Sequence, residues 1–377
     1  MKKILILTFS DVDSDPRVSR QIKALEGRYD ILVTGRSWTP EPGMNFIPIP
    51  PRNRGIFDQI RGACLLKTRQ FEHYYWSLPD IQDACRKLSG KSYDLIIAND
   101  VETLPLALRI ADGAKILLDA HEYAPREFED NLRWSFFSQQ YTTSFLCREH
   151  LFRVHAIMTV CEGIAREYSR HFNIPRPFIV LNAPYHQNLD PRPCGTTIRM
   201  IHHGKAITSR KLELMIELMD HLDARFTLDF MFIEKNLDYL NYLKKKASSN
   251  PRIRFRPPVP LLEIPGTLNE YDIGLFLLPP RTFNYLNALP NKFFEFVQAR
   301  LALAIGPSPE MSQYVQEYDC GIVSKDFTPE QLAAALNRIN CEDVNRFKQN
   351  SHRAADVLCF ESSEELLRKR VKELLQN

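Results

Sequence analysis

The chain has 377 residues, 44% of them hydrophobic and 25% charged. That length asks for two cores of moderate size, and the composition is ordinary for a soluble globular protein. Forty-nine basic residues against 46 acidic ones leave a formal charge of +3, too small an excess for a dedicated nucleic-acid binder.

The start, "MKKILILTF", pairs two lysines with a short apolar run. Charged "DVDSDPR" follows without a small-residue cleavage site, so the run reads as a first buried strand rather than a signal peptide. No segment approaches the roughly 18 unbroken apolar residues of a membrane span. The eight cysteines (64, 85, 147, 161, 194, 320, 341 and 359) form no CxxC pair, which points to reduced thiols rather than a disulfide scaffold or a zinc site. A soluble cytoplasmic protein is expected.

Short apolar runs then alternate with helical stretches, the pattern of parallel α/β layers. The predicted strands of the first half are 3–9, 29–35, 45–50, 93–99, 114–120, 156–160 and 177–183. Between the first two, "PRVSRQIKALEG" predicts a helix, with Pro16 early, Val18, Ile22 and Leu25 at helical spacing and Gly27 as a stop. The stretch "PRNRGIFDQIRGACLLKTRQFEHYYW" mixes Arg52, Arg54, Arg61, Lys67 and Arg69 with apolar and aromatic residues. It fits an ordinary amphipathic helix on the first domain, with an interfacial helix at a membrane surface as the alternative. Proline-rich 189–197 reads as a linker. The rhythm restarts with strands at 197–204, 226–234, 252–258, 271–279, 301–306 and 321–325. Two Rossmann-like domains are therefore expected, 1–190 and 196–360, with the last helix, 361–377, able to pack back on the first. Open sheets of this kind bind ligands outside the carboxyl ends of their strands, so a cleft between two facing sheets is the expected site.

The loops after strands are where chemistry is sought. The first, "SDVDSDPR", has no G-x-G-x-x-G, which argues against a nicotinamide or flavin site. Its Asp11 and Asp13 form a DxD, a possible metal-binding pair. They also suit the capping of a turn, with Asp15 capping the helix at Pro16, and a cation would need more oxygen ligands than the loop offers. Asp100 follows a strand as a helix cap or a functional carboxylate. His121 and Glu122 follow the next strand, so these polar loops meet at one edge of the sheet. In the second half, Gly204 lets backbone approach a ligand. Lys205 and Arg210 bracket a strand-to-helix turn, where two cations can hold a diphosphate or simply face solvent. His202 and His203 sit within a strand and point to opposite faces, which argues against one metal between them.

The stretch "NYLNALPNKFFEF" (284–296) places Asn287, Pro290, Asn291 and Lys292 before an apolar run. Pro290 suits the first turn of a helix, whose free N–H groups and dipole attract an anion. Lys292 adds a charge, and Glu295, on the same face, can accept two ribose hydroxyls. The alternative is an exposed Lys292–Glu295 ion pair.

Taken together, "DPRVSRQIKALEGRYDILVTG", "ANDVETLPLALRIADGAKILLDAHEYAPREF", "VCEGIAREYSRHFNIPRPFIVLNAP" and "NKFFEFVQARLALAIGPSPEMSQYVQEYDCGIV" resemble the retaining family 4 glycosyltransferases of the GT-B fold. The resemblance implies transfer of a sugar from a nucleoside diphosphate sugar to a glycan, lipid-linked glycan or small-molecule acceptor, with retention and without metal or other cofactor. It places the acceptor in the first domain, with Asp100 and Glu122 on the acceptor side, and the donor in the second. Lys205 and Arg210 stand where the family's Arg-x4-Lys pair holds the diphosphate, with the identities exchanged. Glu295 matches the ribose-binding end of its Glu-x7-Glu element, and Asn287 replaces the first glutamate of that element. Gly204, Pro290, Asn291 and Lys292 complete the implied donor site, and His121 matches a histidine near the donor sugar. A nucleotide-sugar epimerase of the same fold, a metal-dependent transferase and a non-catalytic nucleotide-sugar-binding partner are the rival expectations. Peripheral contact with the inner face of a membrane fits the 51–76 stretch, and no nucleic-acid partner is expected.

Overall fold

The computed structural model describes residues 1–376, and the chain divides into two units. Unit 1 comprises Met1–Val180, Thr282–Asn284 and the chain from Ser363 onward; unit 2 comprises Leu181–Arg281 and Tyr285–Ser362.

Unit 1 is built on a seven-stranded sheet of β1 (Lys3–Leu7), β2 (Asp30–Gly35), β3 (Asn45–Pro48), β4 (Leu95–Asn99), β5 (Lys115–Ala120), β6 (Ala156–Thr159) and β7 (Phe178–Ile179). The order is β3-β2-β1-β4-β5-β6-β7, and the pairs are parallel. Ile4 to Leu7 and Leu95 to Ala98 are all buried, as central strands covered on both faces require. Strand order reverses between β1 and β4, so the loops after these strands and β5 flank the switch point where such sheets bind ligands. The helix Pro16–Leu25 follows β1. Asp15 caps it by accepting from the backbone N–H groups of Arg17 (3.1 Å) and Val18 (3.2 Å), and Val18, Ile22 and Leu25 are buried. The end of the chain closes the same layer: Leu367 and Val371 are buried, and Arg368 Nε donates to the Ala24 carbonyl at 2.7 Å.

Unit 2 carries a six-stranded sheet of β8 (Ile198–Lys205), β9 (Phe226–Ile233), β10 (Ile253–Arg256), β11 (Ile273–Phe276), β12 (Ala302–Ile305) and β13 (Gly321–Val323). Its order, β10-β9-β8-β11-β12-β13, is again parallel and again reverses beside its first strand. Met215, Leu218 and Met219 of the helix Glu213–His221 pack into one core with Phe226, Leu228 and Phe230 of β9.

All thirteen sequence-predicted strands occur, most of them shorter than the apolar runs that announced them. The division falls at Val180–Leu181, ahead of proline-rich 189–197. Hydrogen bonding explains this: Gln187 N donates to Gln298 Oε1 (2.9 Å), Arg192 Nε to Asn269 Oδ1 (3.0 Å) and Cys194 N to Asn345 Oδ1 (2.7 Å). The last two bonds tie the expected linker into unit 2, and the first ties in the chain just ahead of it. Among the described residues no helix is long and apolar enough to cross a membrane.

Candidate functional site

In unit 1 a buried charge network lies at the carboxyl ends of β4 and β5. Asn99 and Asp119 are register partners on these strands. Asp119 is fully buried, and Arg17 grips it with a two-pronged fork, Nε to Oδ2 and Nη2 to Oδ1, both 2.7 Å. The remaining arm, Nη1, donates to the Val180 carbonyl at 2.8 Å. Gln21, one turn along the same helix, donates to Asn99 Oδ1 at 2.8 Å and also to Asp119. His121 lies two residues past Asp119, on the same side of the chain path. Its Nε2 is 3.2 Å from Asn99 Oδ1 and 3.4 Å from Asp119 Oδ2, and its Nδ1 is 3.5 Å from Asp100 Oδ2.

The charges in this network set each other. Burial alone would raise the Asp119 carboxyl, but the Arg17 and His121 charges outweigh it and hold the pKa at about 2. Burial alone would lower the His121 imidazole, but Asp100 and Asp119 hold it up at about 9. His121 is therefore a cation at neutral pH. Asp100 is not a side-chain helix cap: it makes no cap hydrogen bond and instead accepts from the His121 backbone N–H at 3.3 Å. Its backbone φ of 66° is unusual for a non-glycine residue, a strained conformation held by the surrounding structure. Glu122 is exposed, and its carbonyl accepts from Tyr168 Oη at 3.0 Å. Burial, then the charges of Glu122, Asp100 and Glu102, raise the Glu127 carboxyl well above the carboxylate range.

The DxD carboxylates bond across to the loop after β2, Asp11 to Ser37 Oγ and Asp13 to the Thr39 N–H at 3.1 Å. Among the described residues no three His, Cys, Asp or Glu side chains converge to hold a metal ion.

In unit 2 the equivalent strand end is cationic. Gly204, near the end of β8, has φ +119°, and a Cβ there would sit 3.0 Å from Lys292 Nζ and 4.0 Å from Arg210 Nη1. Only glycine leaves that space open. Lys292 is 7% exposed, with Nζ 3.4 Å from His202 Nε2 and 5.0 Å from the centroid of the Phe276 ring. Burial, then the neighbouring Arg210 charge, push its pKa well below the usual lysine value, against the pull of Glu295. Burial and Lys292 likewise push both His202 and His203 well down, so both are neutral. His202 Nδ1 is 2.8 Å from the Leu275 carbonyl. It must donate there, which leaves Nε2 to accept from Lys292. His203 faces the other way, against Phe296, with Nε2 3.3 Å from Glu295 Oε2.

The helix Asn291–Gln298 supplies Lys292 and Glu295. Pro290 is its N-cap, one position ahead of the predicted first-turn place, and Asn291 Oδ1 is buried without a hydrogen-bond partner. Glu295 is only 6% exposed, so the expectation of an exposed Lys292–Glu295 ion pair does not hold. Asn287 is buried in the segment leading to this helix. That segment is braced by Ser308 Oγ donating to Leu286 O (2.9 Å) and by a 2.7 Å bond between Ser209 Oγ and Tyr285 Oη. Asn284 belongs to unit 1, where its side-chain amide bonds both backbone groups of Tyr123, at 2.9 and 3.2 Å.

The structure thus groups Gly204, Arg210 and Lys292, sets Glu295 against His203, and leaves the Lys205 side chain exposed. Sequence reasoning missed Arg17, Gln21, Asn99 and Asp119. A signal existed: Arg17 and Gln21 adjoin the apolar stripe of their helix, and Asp119 follows the apolar run Ile116–Leu118 within its strand. A charge in such a place needs a buried partner.

No protein-family model matches the chain, and no curated protein matches it by sequence. Solved structures do match. Sucrose-phosphate synthase from Thermosynechococcus elongatus aligns at a TM-score of 0.77 with 10% identity, covering 100% of both chains. HepE from Anabaena, solved with UDP-glucose, aligns at 0.71 with 11% identity, covering 99% of this chain and 100% of its own. A glycosyltransferase from Rickettsia africae aligns at 0.68 with 11% identity, covering 100% and 99%. The chain has the fold of the GT-B glycosyltransferases, with two parallel-sheet α/β domains of seven and six strands.

Proposed function

We propose that the chain is a glycosyltransferase that moves a sugar from a nucleoside diphosphate sugar to a hydroxyl acceptor, with retention and without a metal. The reading includes a cytoplasmic location and a glycan, lipid-linked glycan or small-molecule acceptor. The observation that carries it is the buried Lys292 amine beside Gly204 and Arg210 at the carboxyl end of β8, a group that an anion would hold in its charged form. Such a site is costly without an anion and stabilising with one. As the glycosidic bond breaks, negative charge grows on the departing phosphate. Arg210, Lys292, Lys205 and the amides after Pro290 would stabilise that charge electrostatically, the role a divalent cation plays elsewhere. Glu295 would accept the ribose hydroxyls. His121, charged between two carboxylates, would act as a hydrogen-bond donor to a sugar oxygen rather than as a base. Asp100 and Glu122 would orient the acceptor. The absence of an evident nucleophile favours front-face attack, the departing phosphate oxygen taking the acceptor proton as the new glycosidic bond forms.

UDP-sugars are the first donors to test, since HepE was solved with UDP and with UDP-glucose. A thermal-shift screen over UDP-, GDP-, TDP- and ADP-sugars should raise the melting temperature for one nucleotide. Lys205→Ala and Glu295→Ala should abolish transfer while leaving the fold intact; near wild-type rates in either remove that residue from the site. Loss of activity in EDTA would overturn metal independence. Donor epimerised without acceptor would identify an epimerase. Binding without turnover would favour a non-catalytic partner, the reading that Asn287 supports by standing where the resemblance implies a glutamate.

A further inference from the structure

Unit 1 exposes apolar side chains on two neighbouring helices, Ile56–Lys67 and Leu132–Phe137. The first buries only Gly62, and the second buries nothing. The first helix rests on unit 1 through buried Gly62 and half-buried Ala63, Leu65 and Leu66, while Ile56, Phe57 and Ile60 face outward, with Phe57 88% exposed. On the second helix Leu132 is 87% exposed and Phe136 is also exposed. Each set recurs at helical spacing, so each forms a stripe. The two helices touch through Lys67, whose Nζ lies 3.9 Å from the Phe136 ring centroid.

Between them opens a cavity of about 930 Å3, lined among others by Arg52, Arg54, Arg133, Tyr74, Trp134 and Phe137. Arg52 is held by Asp80 (2.9 Å) and Glu102 (2.7 Å), with its Nη2 lacking a hydrogen-bond partner. Arg54 donates to Tyr74 Oη at 3.3 Å and to the Asp58 carbonyl. Arg54, Arg61, Lys67, Arg69 and Arg133 border the apolar stripes, and Asp58 is the single acidic residue on the two helices.

We propose that these two helices and the cavity they border form a docking surface for an anionic lipid bilayer. Charge complementarity selects that partner. The aliphatic and aromatic stripes suit the acyl boundary, the basic rim suits anionic headgroups, and the guanidiniums in the cavity suit a headgroup phosphate. A nucleic acid offers the phosphates but gives Ile56, Ile60 and Leu132 nothing to stack on. The docking surface is a face of unit 1 and stands independently of the transfer reading, which rests on Lys292.

The test is flotation of the full chain with vesicles of phosphatidylcholine alone or mixed with phosphatidylglycerol. The chain should float with the mixed vesicles and remain below with phosphatidylcholine alone. Phe57→Ser/Leu132→Ser and Arg54→Glu/Arg133→Glu should each cut the floating fraction by about tenfold. Trp134 emission should shift to the blue on mixed vesicles, and Trp134→Phe should remove most of that shift. A wild-type chain that stays below with mixed vesicles, or variants that float as it does, overturns the proposal. So does a concentration-dependent dimer, unbound by lipid, that Phe57→Ser dissociates, because the face is then a protein interface. The thermal shift with UDP-glucose, followed in the same variants, reads the donor site separately; its absence in the wild type counts against UDP-glucose as donor and does not bear on lipid docking.

Discussion

Both sheets place histidine at a carboxyl strand end, and the two sites take opposite charge states. In unit 1, Asp100 and Asp119 surround His121, which is protonated with a pKa of about 9. In unit 2, Lys292 and aromatic rings surround His202 and His203, and both are neutral. The residue type does not decide the role. Burial penalises charge in both places: at His121 two carboxylates outweigh it, while at His202 and His203 burial and Lys292 act in the same direction. The same topology therefore yields a charged hydrogen-bond donor in one unit and a neutral support for a buried lysine in the other.

The largest test of this contrast is Arg17→Met. It removes the fork from a fully buried Asp119, and the orphaned carboxylate should cost about 3–5 kcal/mol of stability in urea unfolding. A cost under about 1 kcal/mol would mean that Asp119 is not held as a buried anion. Lys292→Met is the mirror experiment. It should lower kcat/KM for transfer by about 100-fold or more. The melting temperature should stay level or rise, because the cost of burying the amine is gone.

Asp100→Asn should lower the His121 pKa by about one unit, read by NMR titration of the ring. The linkage sign is fixed: with its folded pKa raised, His121 contributes stability fully below its unfolded value of 6.5, lost as pH rises through about 9. Each pKa unit is worth about 1.4 kcal/mol, so Asp100→Asn should flatten the fall in stability across that window. The smallest effect is proton uptake on donor binding. Without donor, Lys292 sits well below its ordinary pKa, and a bound diphosphate raises it, so binding takes up a fraction of a proton and weakens as pH rises. Calorimetry of UDP in two buffers of different ionisation enthalpy should differ accordingly; equal heats would show that Lys292 is already charged.

The alternation of apolar runs made the fold legible, because buried parallel strands must be nearly continuous in hydrophobicity. Gly204, Lys292 and Glu295 were legible as a polar group intruding on an apolar pattern. The pairing within the Arg17–Asp119 network was not: each residue stood out as a charge in apolar surroundings, but its partner lies 102 positions away. Nor could the sequence separate the side of the helix at 56–67 that packs inward from the side that faces outward. Both have the same periodicity, and only the neighbouring elements decide which side is covered.

Unit 1 is assembled from three separate stretches of chain, and this has a consequence for synthesis. Its sheet emerges from the ribosome before unit 2, while Leu367 and Val371, buried on the helix that bonds the Ala24 carbonyl, emerge only after unit 2. Until then an apolar flank stays open on a domain that has otherwise had time to form. Truncations near residue 361 should therefore yield aggregation-prone product, even though every strand and every proposed donor residue is retained.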